Sequence, residues 1–100
     1  MKLVTIYWRD IPSQVLVQKG RQKAKVQLPH RFQEAIDRAA MRAGKGSSDL
    51  YLEEWRRETV KIEPVDDINA FAEEHAGQIA ARFSDDELTK LIQNKGETPA

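Results

Sequence analysis

Lys19-Gly20-Arg21-Gln22-Lys23-Ala24-Lys25 sets four cations at alternate positions of one short stretch. In an extended chain alternate side chains project to one face, so Lys23 and Lys25, joined by Arg21 and by Lys19 across a turn, form a cationic ridge. Such a ridge can bind anions and track the phosphates of a nucleic-acid backbone. The same pattern also suits a solvated hairpin whose lysines prevent edge-to-edge pairing with other chains. No helix-turn-helix, zinc-finger or ribonucleoprotein-type aromatic motif accompanies it, and the whole chain carries a net charge of zero.

Other candidate chemistry is sparse. The chain has no cysteine, which excludes disulfides, thiolate metal sites and thiol catalysis. His30 and His75 are the only imidazoles; the first opens a helix at the surface and the second sits on an apolar helical stripe, where a half-buried neutral histidine is the ordinary outcome. Neither has partners at metal-ligand spacing, so no metal and no cofactor is expected. Asp66-Asp67 and Asp85-Asp86 precede helices, where carboxylates cap backbone N–H groups and complement the helix dipole. Gly44-Lys45-Gly46-Ser47-Ser48 has the composition of a phosphate loop but neither its GxxxxGK[ST] spacing nor a preceding strand.

The elements that must position these residues follow from hydropathy period. Leu3 to Trp8 reads LVTIYW, the composition of a central strand buried on both faces. Arg9-Asp10-Ile11-Pro12-Ser13 breaks it, and a second strand over Gln14 to Gln18 puts Val15 and Val17 opposite Gln14, Leu16 and Gln18. Past Gly20 a third segment, Arg21 to Leu28, sets Ala24, Val26 and Leu28 against Lys23, Lys25 and Gln27. From His30 the period becomes helical, with Phe32, Ala35, Ile36, Ala39, Ala40 and Ala43 on one stripe and Gly44 after its end. A second helix, capped by Ser47 or Ser48, carries Leu50, Tyr51, Leu52 and Trp55 to about Arg57. Thr59 to Glu63 then alternates like an edge strand, with Val60 and Ile62 inward. Asp66 or Asp67 caps a third helix with the stripe Ile68, Phe71, Ala72, His75, Ala76, Ile79 and Phe83. Ser84-Asp85-Asp86-Glu87 is a capping box opening a short helix with Leu88, Leu91 and Ile92 inside.

Charge divides along this order: residues 1–60 hold 12 Lys/Arg against 7 Asp/Glu, and residues 61–100 hold 4 against 9. The expected fold is α+β, a small mainly antiparallel sheet of three to four strands packed by helices, with an acidic helical C-terminal part. One domain over residues 1–96 is expected, comprising a basic strand-rich core with two helices to 63, an acidic helical extension over 64–96 and a frayed tail at 97–100. No apolar run reaches membrane-span length and Met1 to Tyr7 lacks a signal-peptide pattern, so the expected compartment is the cytoplasm. At 100 residues the chain can bury one core but not a core plus a roomy internal active site.

Tyr7-Trp8-Arg9-Asp10-Ile11-Pro12, the Val15-Leu16-Val17 strand with its basic turn, Arg31 to Met41, and Tyr51-Leu52-Glu53-Glu54-Trp55-Arg56-Arg57 together resemble the bacterial virulence factor family. That small domain also forms the C-terminal part of the conserved virulence factor C proteins. The resemblance covers about residues 3–60 and leaves the acidic C-terminal part outside. It brings no catalytic residue set. Stand-alone members near genes of folate- and corrinoid-dependent methyl transfer imply an accessory role in one-carbon metabolism.

Read physically, Arg9 and Asp10 pair with each other or with Asp37 and Arg38 and fix the first turn against the first helix. Read functionally, Trp8, Arg9 and Asp10 with Arg38 and Trp55 supply an aromatic wall and paired charges for a protein partner or a small anion. The leading expectation is a non-catalytic interaction module, an accessory or adaptor subunit docking on a larger bacterial enzyme. Nucleic-acid binding through Lys19, Arg21, Lys23 and Lys25 is the alternative. A small enzyme or ligand carrier using Asp10, His30 and Arg38 is a third.

Overall fold

A computed structural model of the protein describes residues 1–45 and 48–98. Its elements run β1 (Lys2–Trp8), β2 (Ile11–Lys19), β3 (Gln22–Gln27), α1 (His30–Arg42), α2 (Ser48–Leu52), β4 (Trp55–Lys61), α3 (Ile68–Arg82) and α4 (Asp85–Gln93). The four strands form one sheet in the order β3-β2-β1-β4, antiparallel throughout. This is the expected α+β class. The helices pack as two groups: α3 lies on β2 and β3, while α1 packs on β2 and on α4. The acidic C-terminal helices therefore complete the core instead of extending away from it.

Both hairpins turn through two residues, and in both the first turn residue has positive φ: Arg9 at 53° and Gly20 at 59°. Glycine suits that position. Arg9 occupies it against a steric cost of about 1–2 kcal/mol, and tertiary bonds hold it there: Arg9 N–H donates to Glu54 O at 3.0 Å and Asp10 N–H to Gly96 O at 2.8 Å. Pro12 does not delay β2 as its sequence suggests. The strand starts at Ile11 and absorbs the irregularity as a bulge, where β1 advances from Ile6 to Tyr7 while β2 advances from Gln14 to Pro12.

Strand pairing fixes two faces. Leu3, Val15, Val17 and Ala24 share one, and α3 covers them with Ile68, Ala72, Ala76 and Ile79. Trp8 and Ile11 pair at the end of the hairpin and join Phe32, Ile36 and Ala39 of α1 in the same core, with no exposure of Trp8 or Ile11. β1 is central, but burial on both faces holds for Leu3, Val4, Thr5 and Trp8 only; Ile6 and Tyr7 are half-buried.

The largest departure from the sequence reading lies at residues 53–61. The helix stops at Leu52, and Trp55–Lys61 pairs with β1 from Trp8 to Lys2 without interruption. Backbone pairing along a full partner strand outweighs the modest helix preference of Glu-, Arg- and Trp-containing sequence. Val60, expected inward, is 54% exposed at this edge, and Ile62 is half-buried. The expected caps behave: Asp67 accepts from Ala70 N–H at 3.0 Å and Ser84 from Glu87 N–H at 3.2 Å. A cap at Ser47 or Ser48 and an inward Leu50 fall outside what is described.

After α4 the chain reverses at Lys95 and Gly96, with φ of 62° and 87°. A Cβ on Gly96 would stand 2.8 Å from Trp8 Cζ3, whereas one on Gly20 would meet nothing within 4 Å. Gly20→Ala is therefore expected to cost about 1 kcal/mol, from backbone strain alone. Gly96→Ala adds a clash with a fully buried ring and is expected to cost about 2–4 kcal/mol. Urea midpoints of the two variants, at unchanged slope, check the difference.

Candidate functional site

Two surfaces hold the residues singled out from the sequence. The first surrounds the β1–β2 turn. Because Arg9 turns at positive φ, its side chain lies back over Trp8, its guanidinium 5.3 Å from the ring centre. Nη1 donates to Lys95 O at 2.9 Å and Nη2 to Glu54 Oε1 at 3.4 Å; Nε, buried without a hydrogen bond, lies 3.4 Å from Glu54 Oε2. Lys45 Nζ reaches the same carboxylate at 3.2 Å. Arg56 donates from Nε to Arg9 O at 2.7 Å and from Nη2 to Asp10 Oδ1 at 3.1 Å, with its guanidinium 4.4 Å from the Tyr7 ring centre. Thr98 N–H donates to Asp10 Oδ2 at 2.6 Å.

These charges are matched within the chain. Burial raises the Glu54 pKa, but hydrogen bonds from Lys45 and Arg9 outweigh it and hold the carboxyl below its ordinary range. The Thr98 backbone bond, aided by Arg56, lowers the Asp10 pKa against a smaller burial effect. Trp8 is beneath this network with Nε1–H donating to Tyr51 O at 2.8 Å and its ring stacked on Tyr51, which meets Trp55 edge-on. Geometrically the cluster is a clamp joining the first turn, β4, the end of α2 and the C-terminal segment. The pairing of Arg9 and Asp10 with Asp37 and Arg38 does not form: Asp37 accepts from Gln33, and Arg38 lies exposed on α1 beside Glu34 and Asp85. Of the expected partner set, Trp8, Arg9, Asp10 and Trp55 thus come together, with Trp8 wholly inside, and Arg38 stands apart. Asp10, His30 and Arg38 likewise share no contact; His30 lies 3.6 Å from Glu34. Lys45, from the loop of phosphate-loop composition, is committed to Glu54, while Gly46 and Ser47 lie outside the described residues.

The second surface is the sheet face opposite α3. Register writes it out in rows across β3, β2, β1 and β4: Lys23, Gln18, Lys2, Lys61; then Lys25, Leu16, Val4, Thr59; then Gln27, Gln14, Ile6, Arg57. Five cations and no carboxylate occupy these rows, and none of the five makes an ion pair among the described residues. Lys23, Lys25, Arg57, Lys61 and Lys2 are exposed. Val4, Ile6 and Leu16 belong neither to the core cluster nor to the apolar residues packed on it, so among the described residues no helix covers these rows; α1 reaches only the Trp8 end of the face. Val4 is nonetheless buried, closed in by its neighbours on both adjoining strands. At the Lys2 end the face opens into a recess lined by Met1, Lys2, Gln18, Gly20, Lys61 and Ile62.

The ridge foreseen at residues 19–25 is split by this geometry. Lys23 and Lys25 face outward as expected, Lys19 Nζ donates to Val65 O at 2.8 Å, and Arg21 is exposed in the turn. Lys2, Arg57 and Lys61 were missed in the sequence, because only the β1–β4 register brings them to the face of Lys25. Among the described residues no group of three or more His, Cys, Asp or Glu could hold a metal ion, and no helix is long and apolar enough to cross a membrane.

In comparison with known proteins, a family model described as "Virulence factor" aligns with residues 6–92. The alignment runs through α3 and nearly to the end of α4, so the acidic helices lie inside the family's domain and not beyond it as the resemblance alone implied. No curated protein and no solved structure matches.

Two pH windows follow from the titrating groups. Burial, then Arg82, lowers the His75 pKa below its ordinary 6.5 as the ring stacks on Phe71. The unfolded chain takes that proton first, so stability is expected to fall as pH drops through and below 6.5, and His75→Gln should flatten that window. For Asp10, lowered from 3.8, the folded state is favoured above that value and the gain is lost as pH falls through the lower folded value. Asp10→Asn should remove this share of the acid-side slope together with the stability the carboxylate supplies at pH 7, read by thermal melts from pH 7 to strong acid.

Proposed function

The chain belongs to the virulence factor family, and from that premise we propose that it is a non-catalytic interaction module, an accessory or adaptor subunit that docks on a larger bacterial enzyme in the cytoplasm. The observation that carries this reading is the open part of the sheet face, where aliphatic side chains on the two inner strands are bordered on the two outer ones by cations that make no ion pair among the described residues. An apolar centre with a polar, charged rim is the usual anatomy of a protein-binding patch, and single-sign charge steers a complementary partner toward it. The clamp around Arg9 supports this by its stiffness: with its charges matched internally, it fixes β4 to β1 and so holds the two basic margins in register. Folate- and corrinoid-dependent one-carbon metabolism, implied by the sequence resemblance, is the proposed setting of the partner enzyme.

A second reading, nucleic-acid binding, draws on the same five cations. The rings nearby are already engaged within the chain: on this face Trp8 is fully buried and the half-buried Trp55 meets Tyr51 edge-on, and Tyr7 faces the other way beneath Arg56.

Affinity capture of the tagged chain from its native host tests the module reading. The expected outcome is one specific protein recovered by the wild type in the presence of nuclease and lost by a folded Lys25→Glu/Arg57→Glu variant. Recovery of no specific protein, or of nucleic acid alone, would count against it.

A further inference from the structure

Resting on the reading of the chain as an interaction module, we infer that the open sheet face is the seat of an acidic amphipathic helix supplied by a partner protein. The distribution of side chains across the strands carries this. Val4 and Ile6 on β1 and Leu16 on β2 form an aliphatic trough along the middle of the face, and the cations stand at its two margins, Lys23 and Lys25 on β3, Arg57 and Lys61 on β4. The outer strands are three strand intervals apart, about 14 Å. A helix with its side chains is about 10–12 Å across. Laid along the trough, it rests its apolar stripe on the aliphatic residues, and both of its flanks come within reach of long basic side chains.

An apolar sheet face ordinarily buries itself against another layer; here α1 and Tyr51 cover only the Trp8 end, and over Val4, Ile6 and Leu16 there is none among the described residues. Its margins specify the sign of the occupant. The rows contain no carboxylate and their cations have no ion-pair partner among the described residues. Acidic flanks satisfy both margins at once, while a basic or neutral helix leaves them unmatched. A second copy of this chain does not fit the role, because α3 and α4 already bury their apolar stripes in their own core. A phosphate backbone matches the charge but not the aliphatic trough.

The probe is a blocked synthetic peptide of about 18 glutamate and leucine residues with leucine at helical i, i+3, i+4, i+7 spacing. Two controls accompany it, a peptide of the same composition with leucine scattered around the helix, and a single-stranded oligothymidylate. Titration followed by amide chemical shifts is expected to show the first peptide binding over Val4, Ile6 and Leu16. The scattered control should bind at least about tenfold more weakly, and Lys25→Glu/Arg57→Glu should weaken the first peptide by at least about tenfold, the loss shrinking in added salt. Equal binding of the two peptides, tighter binding of the oligonucleotide, shifts confined to another surface, or no binding of the first peptide overturns the inference. Host capture separates this failure from that of the module reading. If the captured protein is lost on substituting the basic margins while the peptide fails, docking at this face stands and the helical occupant falls; if capture fails too, both fall.

Discussion

β1 is hydrogen-bonded on both sides along its whole length, to β2 and to β4, and the rest of the molecule is arranged around that double pairing. With β4 added, Leu3 and Thr5 lie inside a sheet that α3 backs from β2 and β3, and Trp8 comes opposite Trp55 at the end where α1 and Tyr51 close the core. The same pairing puts Arg56 beside Asp10 and Glu54 beside Arg9, so the charged clamp is a product of register. Without β4 the sheet would have one basic margin and no clamp.

Arg9 is the costly part of the arrangement. A residue with a side chain is held at positive φ in a turn that glycine would fill without strain, and that side chain is nearly covered, 13% exposed. What offsets this is the number of chain segments it joins: its backbone N–H binds Glu54 O, its guanidinium binds Lys95 O and the Glu54 carboxylate, and its carbonyl accepts from Arg56. Exposed ion pairs are individually weak. A set that shares partners and lies against the Trp8 ring is better placed to keep one geometry.

Much of this was legible in the sequence. The period-2 patterns of residues 14–28 gave the correct faces of β2 and β3, and the helical stripes beginning at Phe32 and Ile68 gave the helices that bury them. Ser84 and Asp67 were readable as caps because capping needs only local spacing. What could not be read depends on distant chain. Trp55 to Glu58 has no periodic preference of its own, and it is extended because β1 offers a free edge. The partners of Arg9 and Asp10 are 45 residues or more away in sequence, so spacing favoured the wrong acid and the wrong arginine, Asp37 and Arg38 in place of Glu54 and Arg56. For the candidate site, Lys23 and Lys25 were visible and Lys2, Arg57 and Lys61 were not, for the same reason.

The order of the strands also bears on how the protein assembles. β1, β2 and β3 are joined by two-residue turns and can pair as a local meander, whereas β4 reaches β1 only after α1 and α2 have been threaded between them. Closing that loop is the step of highest contact order among the strands, and it sets the pace for chains of this kind. A nascent sheet therefore exposes the free edge of β1, rich in Val, Ile, Tyr and Trp, until Trp55–Lys61 arrives. The strand that completes the sheet is thus also the one that shields its most aggregation-prone edge.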